Sequence, residues 1–393
     1  FSSYAWAWSV LPVPHSQSFW LLLWPFLLQV WVCLSESNER ASYADSMTTL
    51  FAGGQPPHIV HLASFEYQTF AENGWMENLD PWLKKDDIDM TGWAGQDTCR
   101  WNDETACIML LYFGFMMAYN PDILAEAGVE VPTNYEEFLA AARATTKDLN
   151  GDGITDQFGT GHETSGGAGQ YLTELLNYVL SAGAYWTNKE GKVTIDTPEM
   201  IEGLTRYKTI IKEGLSPVDM SAGDVRKLFA DGKIAMRLDG PWLYGTMKKG
   251  AAADRLKIAF PALTPPVGGS SNVLGMASEI SDEQKQLVWD FIKVVMSPDF
   301  QRKYATVAGN TPPSPKADVS GVEESVPHFP LLIKTQKAAA AAGVDRIPTG
   351  LEIQYGEFGK MVQEEVQRML IQDLDPADVV KTIQAKAEAI QAG

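Results

Sequence analysis

From Ser42 to the C-terminus, short apolar runs alternate with amphipathic stretches that carry helix caps, and no internal repeat or long linker breaks the alternation. Strands interleaved with helices bury their apolar faces best when helices pack on a sheet, so this order sets the fold class as α/β. The runs at 59–62, 108–112, 115–119 and 257–260 read as strands. Thr133 with Glu136 reads as a capping box ahead of Phe138, Leu139 and Ala142. Thr197 before Pro198 opens a helix that keeps Ile201, Leu204 and Ile211 on one face. Ser281 with Gln284 caps another, and Met361, Val362, Val366, Met369 and Leu370 stand at helical spacing near the end of the chain. At 393 residues the chain is too long for one compact core. Two lobes are expected, and without a single linker several short crossings must join them.

The first 35 residues carry no Asp, Glu, Lys or Arg, and residues 19–34 (FWLLLWPFLLQVWVCL) are almost wholly apolar. That run falls short of the ~20 residues of a membrane-spanning helix, contains Pro25 and Gln29, and has no basic flank. A secretory signal would need basic residues before it and a small-residue cleavage site after it. We read it as a buried helix followed by a strand.

Lys and Arg number 31 against 50 Asp and Glu, a net charge of −19, which argues against nucleic acid or an anionic membrane surface as partner. The three cysteines, Cys33, Cys99 and Cys107, lack zinc-site spacing. Cys99 and Cys107 bracket a polar stretch that reads as a hairpin turn, so a disulfide and two buried thiols are equally open. His58 and His61 would point to opposite faces of a strand, which argues against a shared metal. There is no Gly-x-Ser-x-Gly elbow and no phosphate-cradling loop, so neither nucleophilic catalysis nor a catalytic cofactor is expected.

Two stretches carry chemistry. Asp148, Asn150, Asp152 and Asp156 place oxygen side chains at alternate positions, with Gly153 at the sharp turn and the carbonyl of Ile154 between them, as calcium loops require. Gly159 stands where a complete loop would have Glu. A structural calcium ion is one reading and a water-satisfied Asp/Asn/Gly turn the other. The second stretch, FADGKIAMRLDGPW (229–242), runs from a helix end through a turn and an apolar strand to a Gly-Pro stop that presents Trp242. Strand ends in open α/β sheets bind ligands, and an indole offers a flat apolar face suited to a sugar ring. A core plug is the competing reading of Trp242.

FAGGQPPHIV…ENGWMENLDPWL, then YFGFMMAYNPDILAEAGVEVPTNYEEFLAAA, LFADGKIAMRLDGPW and GNTPPSP resemble, in that order, the family-1 extracellular solute-binding proteins of sugar ABC transporters, of the maltose- and trehalose-binding type. The resemblance implies a two-lobe periplasmic-binding-protein fold (type II), with lobes of 1–111 plus 261–300 and 112–260 plus 301–393. Three short hinge crossings would join them near 111–114, 260–265 and 298–310. It implies a sugar held in a cleft and released by hinge motion, membrane ABC permease subunits as partners, a monomer, and a periplasmic or extracellular location with membrane anchoring left open. By matching motifs, Trp242 would be the stacking aromatic and Gly240 would let the ligand approach the backbone. Tyr112, Ser64, Phe65, Glu66, Gly275, Met276 and Tyr171 would be further ligand contacts. The uncharged, Trp-rich N-terminal segment departs from the family's charged first helix, and Gly275-Met276 departs from its paired glycine. The same scaffold serving a glycerol phosphate or a polyamine is the first alternative. A carbohydrate-acting enzyme with two carboxylates is the remote one.

Overall fold

In the computed structural model, which describes residues 40–393 apart from Val344, the chain runs through α1 (Arg40–Ala52), β1 (Ile59–Ala63), α2 (Tyr67–Glu72), α3 (Asp80–Lys85), β2 (Arg100–Trp101), β3 (Glu104–Thr105) and β4 (Ile108–Gly114). It continues with β5 (Met116–Tyr119), α4 (Pro121–Ala127), α5 (Tyr135–Thr145), α6 (Ala168–Ser181), α7 (Pro198–Lys212), α8 (Ala222–Ala230), β6 (Met236–Asp239), α9 (Leu243–Met247) and β7 (Lys257–Ala259). Then follow β8 (Gly268–Met276), α10 (Asp282–Met296), α11 (Pro298–Ala308), α12 (Phe329–Ala342), α13 (Tyr355–Gln372) and α14 (Pro376–Ala392). The apolar runs become β1, β4, β5 and β7, with ends shifted by one or two residues. The helix and strand expected within 19–34, and Cys33, lie outside the described residues. No helix among the described residues is long and apolar enough to cross a membrane.

Side-chain caps open half of these helices. Thr197 accepts from the N–H of Met200 with Pro198 at the first position, and Ser281 with Gln284 forms the reciprocal capping box. The cap of α5 lies one residue later than the expected Thr133. Asn134 Oδ1 accepts from Glu137 N–H at 2.9 Å, while Glu137 reaches back to the Thr133 N–H and hydroxyl, each at 2.8 Å.

The described residues fall into two compact units. One holds the chain up to Tyr112 together with Ser270–Ser325, the other Phe113–Gly269 and Val326–Gly393. The chain passes between them after Tyr112, after Gly269 and after Ser325, the last two passages later than 260–265 and 298–310. Residues after 260 stay with the second unit because Phe115 N–H donates to Val267 O at 2.6 Å and Gly268 packs directly on the Phe113 carbonyl. Residues after 300 stay with the first because α11 packs on α10, Gln301 bonds Val295 O at 2.9 Å, and Ala94 N–H bonds Pro313 O at 2.9 Å.

In the first unit β1 lies antiparallel to β8, with Ile59 opposite Met276 and Ala63 opposite Asn272, in the sheet order β1-β8-β4. One apolar cluster, with Phe51 stacked on Trp75 at 5.3 Å, covers one side. Another is built on Ile108, Met276 and Trp289. In the second unit β5 is central, antiparallel to β6 and β7, with Met116 opposite Asp239 and Ala118 opposite Ile258. There α6 is buried at every residue from Tyr171 to Leu180, because α7 and α13 pack against it.

Candidate functional site

In the second unit, β6 ends at Asp239, and the next three residues turn the chain so that Trp242 opens α9. The Trp242 indole is half-buried and is fixed from several directions. Its Nε1 donates to Asp239 Oδ1 at 2.7 Å. Phe113 and Phe115 meet its ring at 5.0 and 6.0 Å between centroids, and the Arg226 guanidinium lies over it at 5.9 Å. A Cβ at Gly240 would run into the indole's six-membered ring. The glycine there is demanded by Trp242 itself, which replaces the expected reason, close approach of a ligand. The competing reading of Trp242 as a sealed core plug does not match its partial exposure.

Asp239 is the hub behind this aromatic. Besides the indole it accepts from Gly240 N–H at 2.8 Å, from Arg226 Nε at 2.8 Å and from Arg237 Nε at 3.1 Å. Burial alone would raise its pKa, but the guanidiniums of Arg226 and Arg237 outweigh that and hold the carboxyl at about 2. Arg237, fully buried, also bonds both carboxylate oxygens of Glu174 and the Gly161 carbonyl, the closest pairs at 2.6 Å. Two guanidiniums thus face the carboxylates of Asp239 and Glu174. A third carboxyl, Glu163, lies in the same network, its charge offset only in part by Arg226 and Arg237. Burial first, and the nearby Glu174 second, push its pKa up to about 9, so at neutral pH it carries a proton. Its Oε2 has no hydrogen-bond partner among the described residues, and its Oε1 lies against Gly166. His162, beside it, is held neutral by burial and by Arg237, its pKa lowered to about 3, and its Nε2 pairs with the Tyr178 hydroxyl at 2.6 Å. The Arg346 guanidinium, 5% exposed, lies over the Phe113 ring at 5.4 Å from its centroid.

Sequence reasoning missed Glu163, Asp239, Arg226 and Arg346. The one local signal was the glycine-rich GTGHETSGG around Glu163, a loop of the kind that positions functional groups on a scaffold. Tyr171, expected as a ligand contact, is buried at 1% exposure with its ring edge-on to Tyr207 at 6.2 Å, and burial pushes its phenol well up. It belongs to the α6–α7 packing.

In the first unit, Ser64, Phe65 and Glu66 form the turn between β1 and α2. Ser64 is fully buried and ties this turn to β8, its hydroxyl donating to Ser270 O at 3.0 Å and its N–H to Ser271 O at 2.6 Å. Phe65 and Glu66 are half-buried, and Glu66 Oε2 accepts from Ala63 N–H at 2.9 Å. Tyr112 is also half-buried; its carbonyl accepts from the Thr311 hydroxyl at 2.6 Å. Its ring covers Gly95, whose φ of +72° and lack of a Cβ both suit that place. Gly275 and Met276 are corrected: both are buried in β8. Met276 is part of the core cluster around Trp289, and a Cβ at Gly275 would strike the Met76 methyl. Of the expected contacts in this unit, Phe65, Glu66 and Tyr112 keep exposed surface.

The loop through Asp148, Asn150, Asp152, Ile154 and Asp156 is folded on its own side chains. Asp148 accepts from the N–H groups of Asn150, Gly151 and Gly153, at 3.2, 2.7 and 2.7 Å. Asn150 Oδ1 takes Asp152 N–H at 2.9 Å, Asp152 takes Ile154 N–H at 2.8 Å, and Asp156 takes Leu149 N–H at 2.9 Å. Gly151 and Gly153 adopt positive φ of +79° and +87°. The Glu missing at position 159 has a structural cause, since any Cβ there would collide with the Ala142 backbone. No group of three or more His, Cys, Asp or Glu side chains among the described residues is arranged to hold a metal.

These observations meet independent comparisons. The profile of the bacterial extracellular solute-binding protein family matches residues 36–302, and the chain belongs to that family. A Brucella abortus chain named as a binding protein is 25% identical over 285 residues, 70% of this chain and 65% of the relative's own length. An Escherichia coli chain named as an ABC transporter periplasmic-binding protein is 29% identical over 165 residues, 42% of this chain and 35% of that one. Among solved structures, a Thermotoga lettingae ABC transporter solute-binding protein bound to alpha-D-tagatose superposes with a TM-score of 0.76 at 22% identity, covering 89% of each chain. Maltose-bound MalE3 of T. maritima gives 0.75 at 19%, covering 94% of this chain and 96% of that one. UgpB of Mycobacterium tuberculosis with glycerophosphocholine gives 0.76 at 17%, covering 90% and 89%. The fold is therefore the two-lobe α/β fold of these binding proteins.

Proposed function

We propose that this protein captures a sugar reversibly outside the cell and hands it to the permease subunits of an ABC importer, as a monomer and without catalysis. The observation that carries the reading is the half-exposed Trp242 indole, clamped by Asp239 and backed by Phe113 and Phe115. Beside it lies a buried polar network in which one Glu163 oxygen has no hydrogen-bond partner among the described residues. A preorganised aromatic face next to hydrogen-bonding groups suits a ring with one apolar face and a rim of hydroxyls. The protonated Glu163 can donate to a hydroxyl as well as accept. Phe65, Glu66 and Tyr112 are the candidate contacts of the first unit. Relatives named for tagatose and maltose support the solute class, and those named for periplasmic binding support the location.

A solute that binds only the folded state raises the melting temperature by mass action. A thermal-shift screen of mono- and oligosaccharides, with glycerophosphodiesters and polyamines in the same plate, is expected to give its largest saturable shift with a sugar. A shift from a phosphodiester alone moves the reading to the class seen in the glycerophosphocholine relative. No shift from any sugar contradicts the reading.

The 148–156 loop is part of the same proposal, as a site for a structural calcium ion. Its donors are all hard oxygens, and because three acidic side chains do not converge, Asn150 and the Ile154 carbonyl would have to complete the set with Asp148, Asp152 and Asp156. Adding ~5 mM calcium to chelator-treated protein, above the ~1 mM dissociation constants of weak extracellular sites, should raise the melting temperature, and Asp152→Ala should abolish the rise. Equal melts with calcium and with chelator would leave the loop a turn closed by its own hydrogen bonds.

A further inference from the structure

Cys99 and Cys107 are both fully buried in the apolar cluster of the first unit, among Val60, Leu62, Met76 and Met109. The hairpin between them brings their backbones near each other, Cys107 standing one residue beyond the position opposite Cys99. Arg100 pairs with Thr105 and Trp101 with Glu104, and Asn102 and Asp103 turn the chain with φ of +48° and +65°, the two positive values of a type I′ turn. One step below the last pair, Ala106 N–H donates to Cys99 O at 2.9 Å, and the two buried thiols are near enough that Cys99 adds to the effect of burial on Cys107. The backbone on both sides is pinned. Gln96 bridges the Cys107 carbonyl and the Met109 N–H at 2.9 and 3.0 Å, while the Tyr67 hydroxyl bonds the carbonyls of Thr98 and Arg100. No third cysteine, histidine or acid joins them as a metal cluster among the described residues, and the apolar surroundings push the Cys107 thiol well up, away from the thiolate that a nucleophile or metal ligand needs.

We propose that Cys99 and Cys107 form a disulfide in the mature extracellular protein, closing the base of the β2–β3 hairpin. Two S–H bonds break and one S–S bond forms. Two protons and two electrons pass to a disulfide oxidant, such as a dithiol–disulfide catalyst or oxidised glutathione, which leaves as two thiols. The compartment supplies the oxidant, and burial requires the exchange to happen while the hairpin is still accessible during folding. The bridge stands behind the candidate surface of this unit, because Tyr67 ties the hairpin to α2, which follows directly on the turn of Ser64, Phe65 and Glu66.

The test uses the full chain, refolded from denaturant in a glutathione redox buffer, which provides the oxidant whatever the native compartment. Thiols are trapped with iodoacetamide in denaturant without reductant and mapped by mass spectrometry. The expected result is a peptide pair linked through Cys99 and Cys107, with two more labelled thiols after reduction. Free Cys99 and Cys107 before reduction, or a link from either to Cys33, overturns the proposal. Reductant should also lower the melting temperature of the oxidised protein by ~5 °C and leave that of the Cys99→Ser/Cys107→Ser variant where it was. A melt of the unsubstituted protein unmoved by reductant counts against the bridge.

Discussion

Asp239 accepts hydrogen bonds on both carboxylate oxygens, and the indole of Trp242 is one of four groups it holds. Its neighbour Glu163 is in the opposite state: burial first, and the nearby Glu174 second, outweigh Arg226 and Arg237, and it keeps its proton up to a pKa of about 9. In the unfolded chain the same group loses its proton near the ordinary glutamate value of 4.5. Between those two values the native state binds the extra proton, so the Glu163 contribution to stability is greatest below the lower value and is lost as pH rises through the window. Glu163→Gln has no proton to lose. Its stability relative to the parent should therefore increase between pH 5 and pH 9 in urea titrations, whereas an unchanged difference would show that Glu163 is ionised in the native protein. Trp242 was legible in the sequence because a Gly-Pro stop after an apolar run places the next residue at a strand end. The true constraint on Gly240 was not, since it comes from how the indole folds back. Nor were Asp239 and Glu163, whose roles depend on Arg237 meeting Glu174 across 63 positions of sequence.

Among elements, the caps were read most directly, because capping is a local exchange between a side chain and an N–H two or three residues on. Thr197 and Ser281 stand where they were expected. At α5 the choice between neighbours went to Asn134, whose amide oxygen takes the Glu137 N–H and leaves Thr133 to Glu137's own carboxylate. Asn134→Ala should cost about 1 kcal/mol of stability in chemical denaturation, and Thr133→Ala a few tenths. The reverse order would restore Thr133 as the cap. In β8 the two faces could not be told apart from residue pattern: Gly275 and Met276 lie in a strand covered on both sides, and such strands show no alternation of polar and apolar residues. The 148–156 loop was legible as a motif, while the reason for Gly159 was hidden in its contact with the end of α5.

For the whole molecule, the chain passes three times between its two units, a route that needs no single long linker. The positions of the second and third passages were not legible, because they depend on which unit claims the segments after 260 and after 300 through long-range contacts such as Phe115 with Val267 and Ala94 with Pro313. Membership of the solute-binding family follows from the profile match over 36–302 and agrees with the fold. Titration calorimetry of a sugar panel against the native protein and a folded Trp242→Ala variant puts the account to its most direct test. The expected outcome is saturable one-to-one heat from at least one sugar, weakened in the variant by at least ~2 kcal/mol, about thirtyfold in affinity. No heat from any sugar, or the same affinity in both proteins, would contradict it.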